Sequence, residues 1–119
     1  MDDRIHFVEH QGKQILLFDF SQATAAQMLL LLEYARITVA KHARDSLLVL
    51  ADFGGAEIDH TVAMKIKEVL TLDRPFVKKS AWVGAEDIPK AFMENFHTFS
   101  RRDIVTFKTR EEALDWLVE

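Results

Sequence analysis

The stretch Ser46–Thr61, SLLVLADFGGAEIDHT, decides the fold of this chain. It opens with the uninterrupted apolar run of residues 47–51, which is typical of a strand buried on both faces of a sheet. The pair Gly54-Gly55 then turns the chain out of the sheet, and Asp59 takes the place of an N-cap for a helix that begins at Thr61. Because α/β proteins often carry their function where a strand leads through a glycine loop into a helix, this stretch also predicts the position of a site.

Strands and helices are predicted to alternate along the rest of the chain. Two apolar runs around the turn at residues 11–13 predict a β-hairpin. Strands are expected at residues 4–9, 14–20, 46–52, 80–84 and 104–108. Helices are expected from an N-cap at Ser21 to about His42, from Thr61 to Leu72, from Ala85 to the break at Arg101–Asp103, and after the cap Thr109.

This order of elements predicts the fold class. Strands that alternate with helices lie parallel in the sheet and are joined by right-handed crossovers. We therefore expect one α/β domain over residues 1–119, with a mostly parallel sheet of about five strands, an antiparallel N-terminal edge strand and four main helices.

The composition excludes several classes of protein. The chain has 119 residues and a net charge of -4 with scattered Lys and Arg, so it lacks the basic face of a nucleic-acid-binding protein. It contains no cysteine, which excludes thiolate metal sites and suits a reducing cytoplasm. No apolar run approaches the ~20 residues of a membrane span, and the acidic start MDDRIHF is not a signal peptide. We expect a cytoplasmic protein that neither binds nucleic acid nor inserts stably into membranes.

Three stretches carry a family resemblance. The first, at residues 48–63, is LVLADFGGAEIDHTVA, which is similar to the family's strand, glycine loop and helix start. The second, at residues 80–92, is SAWVGAEDIPKAF, similar to a strand followed by Val-Gly, an acidic loop and a helix. The third, at residues 103–117, is DIVTFKTREEALDWL, similar to the family's closing strand and helix. Together with the element order they resemble the STAS domain, the fold of anti-sigma factor antagonists. The likeness is strongest to the uncharacterised bacterial branch often called STAS/SEC14-like.

The resemblance implies a role for the loop before the second helix. In anti-sigma factor antagonists this loop holds an Asp-Ser-Ser-Gly-like motif, and a partner kinase phosphorylates its second hydroxyl residue, which breaks the complex. The overlay places Asp59, His60, Thr61 and Val62 on these four positions, and only Asp59 and Thr61 keep the chemistry. The implied function is a non-catalytic regulatory domain that binds a protein partner such as an anti-sigma kinase-like protein, through an interaction loop that contains Asp52, Gly54, Gly55, Asp59, His60 and Thr61.

Thr61 has two interpretations. A phosphate adds about -1.5 to -2 charge, and the first turn of a helix tolerates that charge, so phosphorylation would alter a docking surface without unfolding the domain. The plainer interpretation is that Asp59 and Thr61 only start the helix.

Chemistry of other kinds has little support in the sequence. Asp52, Asp59 and His60 lie close along the chain, but a metal or acid–base site needs a third ligand or an orienting partner, and no such spacing is present. Gly54-Gly55 matches neither the P-loop nor the dinucleotide glycine pattern. We expect no enzyme activity, no catalytic or metal-binding residue and no cofactor.

Aromatic residues suggest an alternative function. Phe92, Phe96 and Phe99 recur at helical spacing, and with Trp82 and Trp116 they would line a pocket in a carrier or sensor domain for a small apolar or lipid-like ligand. Aromatics at this spacing also occur as ordinary core residues.

The first long helix suggests a second copy as a partner. Leu30 and Leu31 widen its apolar stripe beyond what one sheet face requires, which indicates either deep burial or a homodimer contact. The charged pairs Lys78-Lys79 and Arg101-Arg102 are expected to be solvated at the ends of elements.

Overall fold

A single mixed sheet organises the chain in the computed structural model, which describes residues 2–100 and 104–119. Its strands are β1 (Ile5–His10), β2 (Lys13–Asp19), β3 (Leu47–Asp52), β4 (Val77–Val83) and β5 (Val105–Phe107), in that spatial order. β1 is antiparallel to β2, and the other neighbours are parallel. The predicted sheet is confirmed, with the antiparallel strand at its edge.

Four main helices cover the two faces of this sheet. They are α1 (Ala25–Val39), α2 (His60–Asp73), α3 (Lys90–Ser100) and α4 (Arg110–Leu117). The predicted number of helices is confirmed. None of the helices in the described part of the chain is long and apolar enough to cross a membrane.

The central strands are buried on both faces because each face meets a helix layer. In β2, Leu16 and Phe18 join the larger core under α1, α2 and α3, whereas Ile15 and Leu17 join a smaller core under α4. Successive side chains of a strand point to opposite faces, so an unbroken apolar run fills both cores.

The start of α1 differs from the prediction. We expected Ser21 as its N-cap, but the helix begins behind Thr24. The Ser21 hydroxyl instead donates to Asp19, 2.5 Å away, and Gln22 has a φ of 58°, which interrupts any helix at that point. Thr24 forms a capping box with Gln27, so the sequence carried the signal for the true start in its Thr-x-x-Gln spacing.

The expected start of β4 was also wrong, because the strand begins at Val77 rather than at Ser80. Lys78 and Lys79 lie inside the strand rather than at the end of an element, and Lys79 is half-buried with its ammonium group 4.1 Å from the centre of the Trp116 ring. Residues 85–87 form a separate 3₁₀ turn before α3. The predicted break at residues 101–103, with the Arg101-Arg102 pair, lies outside the described residues.

Candidate functional site

The loop between β3 and α2 is held by backbone hydrogen bonds to both of its neighbours. Gln22 N–H donates to the Gly54 carbonyl at 2.8 Å, and Glu57 N–H donates to the Ala23 carbonyl at 2.9 Å. On the other side, Phe53 N–H donates to the Val83 carbonyl at 2.8 Å. The carboxyl ends of β2, β3 and β4 meet at one edge of the sheet, so the loops that leave them support each other.

Glycine is required where these loops touch. Gly84 has a φ of 73°, and a Cβ at this position would lie 2.5 Å from the Gly54 nitrogen. Gly55 has a φ of 70°, and a Cβ there would overlap the Gln22 side chain. The predicted glycine turn is therefore a contact between loops as well as a change of direction.

The first turn of α2 stands on the surface. Asp59 is its N-cap and accepts a hydrogen bond from Val62 N–H at 2.8 Å, as predicted. His60 and Thr61, the first two helical residues, are both exposed. The predicted N-cap at Asp59 is thus confirmed, and Thr61 lies on the surface next to it.

Asp52 belongs to a different cluster. Its carboxylate accepts a hydrogen bond from Gly54 N–H at 2.9 Å and another from Arg110 Nε at 2.7 Å. The terminal nitrogen of Arg110 lies 3.0 Å from Asp19 Oδ1. Asp52 therefore anchors the start of the loop between β3 and α2, while Asp59, His60 and Thr61 are exposed at its end.

Sequence reasoning missed Arg110. Asp19 and Asp52 end neighbouring parallel strands and are directly paired in register, so their like charges call for a cation between them. The occurrence of Asp at the end of two predicted strands was the sequence signal that a cation is needed there. The sequence did not identify Arg110 as that cation, because Arg110 lies 58 residues from Asp52 in the chain.

Several donors act on Asp19. Burial opposes ionisation of its carboxyl, but the hydroxyl and N–H of Ser21, together with the charges of Arg110 and Arg4, hold the pKa of Asp19 below its ordinary value. Arg4 also donates to the Asp19 and Ser21 carbonyls at 3.1 and 2.9 Å. The edge of the sheet beneath the loop therefore carries a network of ion pairs and hydrogen bonds among Arg4, Asp19, Ser21, Asp52 and Arg110.

The carboxylates of Asp52 and Asp59 have different partners in the structure. In residues 2–100 and 104–119, no three His, Asp or Glu side chains lie close enough together to hold a metal ion. Asp52 is engaged with Arg110, and Asp59 is engaged in capping.

The five aromatics proposed for a ligand pocket do not line one together. Phe96 is fully buried and packs against Trp82, with ring centres 5.8 Å apart. Phe99 is 38% exposed, and Trp116 lies on the opposite face of the sheet against Phe107. The helical spacing of three of these aromatics showed that the three lie on one helix, α3. It did not show which aromatic rings pack against each other.

Comparison with known proteins identifies the fold. No protein-family model and no curated protein matches the chain. A solved structure does: an uncharacterised protein of the DUF3478 family from Shewanella loihica, described as having a SpoIIAA-like fold, with a TM-score of 0.71, 16% identity, and coverage of 95% of this chain and 91% of that one.

This chain has the SpoIIAA-like fold. It is the fold of STAS domains and anti-sigma factor antagonists, so the resemblance found in the three sequence stretches is confirmed at the level of fold. Within the SpoIIAA-like fold, the loop between β3 and α2 occupies the carboxyl edge of the sheet, as the sequence predicted.

Proposed function

We propose that this chain is a non-catalytic regulatory domain that binds a protein partner through the first turn of α2 and the loop before it. The proposal rests on one observation: the backbone of this loop is fixed by its neighbours, while the side chains of Glu57, Asp59, His60 and Thr61 remain exposed. A surface that is already ordered loses little conformational entropy when it binds.

The partner would present a complementary basic surface. Glu57 and Asp59 carry negative charge next to the α2 start, and the overall charge of the chain is -4. Opposite charge on the partner would speed the encounter and select against wrong partners. An anti-sigma kinase-like protein is the partner class that the SpoIIAA-like fold suggests.

Phosphorylation of Thr61 would regulate this contact. The Thr61 side chain is exposed at the second position of α2, where a phosphate lies near the unpaired N–H groups of the helix start. The helix would keep its cap at Asp59, since the modified side chain takes no part in capping. The added charge would alter the surface presented to the partner while the fold persists.

The experiment compares Thr61→Glu with Thr71→Glu. Both threonines are exposed and lie on α2, at opposite ends of the helix, so Thr71→Glu controls for the added charge. After cross-linking in the native cell, the wild type and Thr71→Glu should capture the same partner protein. In a binding assay with that purified partner, Thr61→Glu should bind about tenfold more weakly than the wild type. Equal affinity of all three proteins, or turnover of a substrate by the purified chain, would contradict the proposal.

A homodimer is a second part of this proposal, favoured by the surface of α1. Leu30 is 59% exposed and Ile37, two turns later on the same face, is 44% exposed. Leu31, which the sequence placed in the same contact, is only 2% exposed and belongs to the core. The contact with a second copy would therefore involve Leu30 and Ile37.

A further inference from the structure

A cavity of about 70 Å³ lies between the sheet and the helix layer, and Phe53, at the start of the loop between β3 and α2, contributes to its wall. Its walls include Leu32 and Ala35 of α1, Val69 and Asp73 of α2, and Ser80 and Trp82 of β4. A space of roughly 10–15 Å³ already holds one water, and dry cavities lined by apolar side chains bind small apolar guests. The volume and the largely apolar wall thus suit a small organic molecule or one end of a longer one.

One carboxyl faces this apolar space. Asp73 is the last residue of α2, lines the cavity and is only 8% exposed. Burial raises the pKa of Asp73 to about 7, while the charge of Arg36 acts in the opposite direction, and no hydrogen bond from the described residues contributes. A buried polar group without a donor costs free energy, and a ligand that supplies the donor would recover it.

The charges around the cavity restrict the chemistry of the ligand. Arg74 also lines the wall, and Arg36 lies within electrostatic range of Asp73, so a cationic ligand would meet two positive charges. A cationic ligand and the ionised Asp73 carboxylate would also both lose their hydration in the apolar cavity, which costs free energy. A hydroxyl avoids both costs, since it can donate to the carboxyl and accept from a neighbouring donor.

We propose that this cavity binds an uncharged amphipathic molecule with a single hydroxyl at one end, hydrogen-bonded to Asp73, and an alkyl body packed against Leu32, Val69 and Trp82. Leu70, Arg74 and Ser80 on the wall are only partly buried, so the cavity reaches the surface and the body of a longer ligand extends outward there. The site goes beyond the proposed protein contact. Asp73 and Thr61 lie at opposite ends of the 14-residue helix α2, about 20 Å apart along its axis.

The first experiment titrates 1-hexanol into a Trp116→Phe variant, in which Trp82 is the only tryptophan. Because Trp82 lines the cavity, its fluorescence should change saturably as the alcohol binds. Ser80→Leu, which fills the cavity mouth, should abolish the change. Gln14→Leu, an exposed strand position outside the wall, should leave it intact. A response that never saturates, or that persists unchanged in a folded Ser80→Leu protein, overturns the proposal.

The second experiment tests the role of Asp73. 1-Methoxypentane has the same heavy atoms as 1-hexanol but lacks the hydroxyl donor. Asp73→Leu should weaken 1-hexanol binding by about tenfold and leave the affinity for the ether within a factor of about two, because only the alcohol donates to the carboxyl. An equal effect on both ligands would overturn the assignment of Asp73 even if Ser80→Leu failed to fold. Thr61→Glu should bind 1-hexanol like the wild type, so this site and the proposed partner contact succeed or fail separately.

Discussion

Arg110 Nε lies 2.7 Å from Asp52 Oδ2, so the first residue of α4 is bound to the last residue of β3. The same guanidinium reaches Asp19 at the end of β2. Two carboxylates that lie side by side in a parallel register would repel each other without this cation. The contact therefore secures α4 to the sheet and supports the loop that carries the proposed interaction surface.

Replacing Arg110 with Met should lower the free energy of unfolding by about 1–2 kcal/mol, because it removes the cation that contacts both neighbouring carboxylates. The Arg110 side chain is 40% exposed, and water screens part of the effect. Urea unfolding measures the change, with Arg44→Met at an exposed position as the matched control. Equal stability of the two variants would show that the contacts of Arg110 with Asp19 and Asp52 do not stabilise the fold.

Gly84 and Gly12 offer a direct test of the contact between loops. Both have positive φ, so Ala at either position incurs backbone strain of about 1–2 kcal/mol. Only at Gly84 would the new Cβ also meet the Gly54 backbone, whereas at Gly12 nothing lies within 4 Å. Gly84→Ala should therefore be the more destabilising variant in thermal unfolding, and it should weaken partner binding as well. A ranking in the reverse order would contradict the close approach of the two loops.

Asp73 should make stability depend on pH. Its pKa is raised from the ordinary 3.8 to about 7 in the folded state, so the folded protein keeps a proton that the unfolded chain has lost in this window. The contribution of Asp73 to the free energy of unfolding therefore falls as the pH rises from about 4 to about 8 and is constant above that. The total change is on the order of 4 kcal/mol at most.

The test for Asp73 is the difference between the wild type and Asp73→Asn in denaturant unfolding at several pH values. The Asn variant cannot ionise, so it should gain stability relative to the wild type between about pH 4 and pH 8. A difference that stays constant across this range would mean that the carboxyl is already paired or hydrated in solution.

The surface of α1 predicts the behaviour of the proposed homodimer. Leu30→Glu combined with Ile37→Glu should shift the protein to monomer in sedimentation velocity while its unfolding midpoint changes little, since both side chains are exposed. Leu31→Glu should instead destabilise the fold itself, because it places a charge in the core. An unchanged sedimentation coefficient in the double variant would rule out this face as the dimer contact.

Sequence patterns predicted those features of the fold that depend only on residues a few positions apart in the chain. Asp59 and Thr109 cap α2 and α4 as expected, because a cap involves residues three positions apart. The start of α1 was misplaced at Ser21, although Thr24 and Gln27 carried the capping-box spacing. The information for the true start was therefore present in the local sequence.

The sequence by itself determined the α/β order, the buried central strands, the glycine loop and the N-cap of α2, because hydrophobic periodicity, caps and turns act over a few residues. Only the tertiary structure decided that Arg110 joins Asp19 and Asp52, that Leu31 is buried while Leu30 is not, and that Asp73 faces an apolar cavity. These are contacts between residues far apart in the chain, or differences between adjacent positions on one helix. They depend on how the helix layers settle on the twisted sheet, which no local pattern encodes.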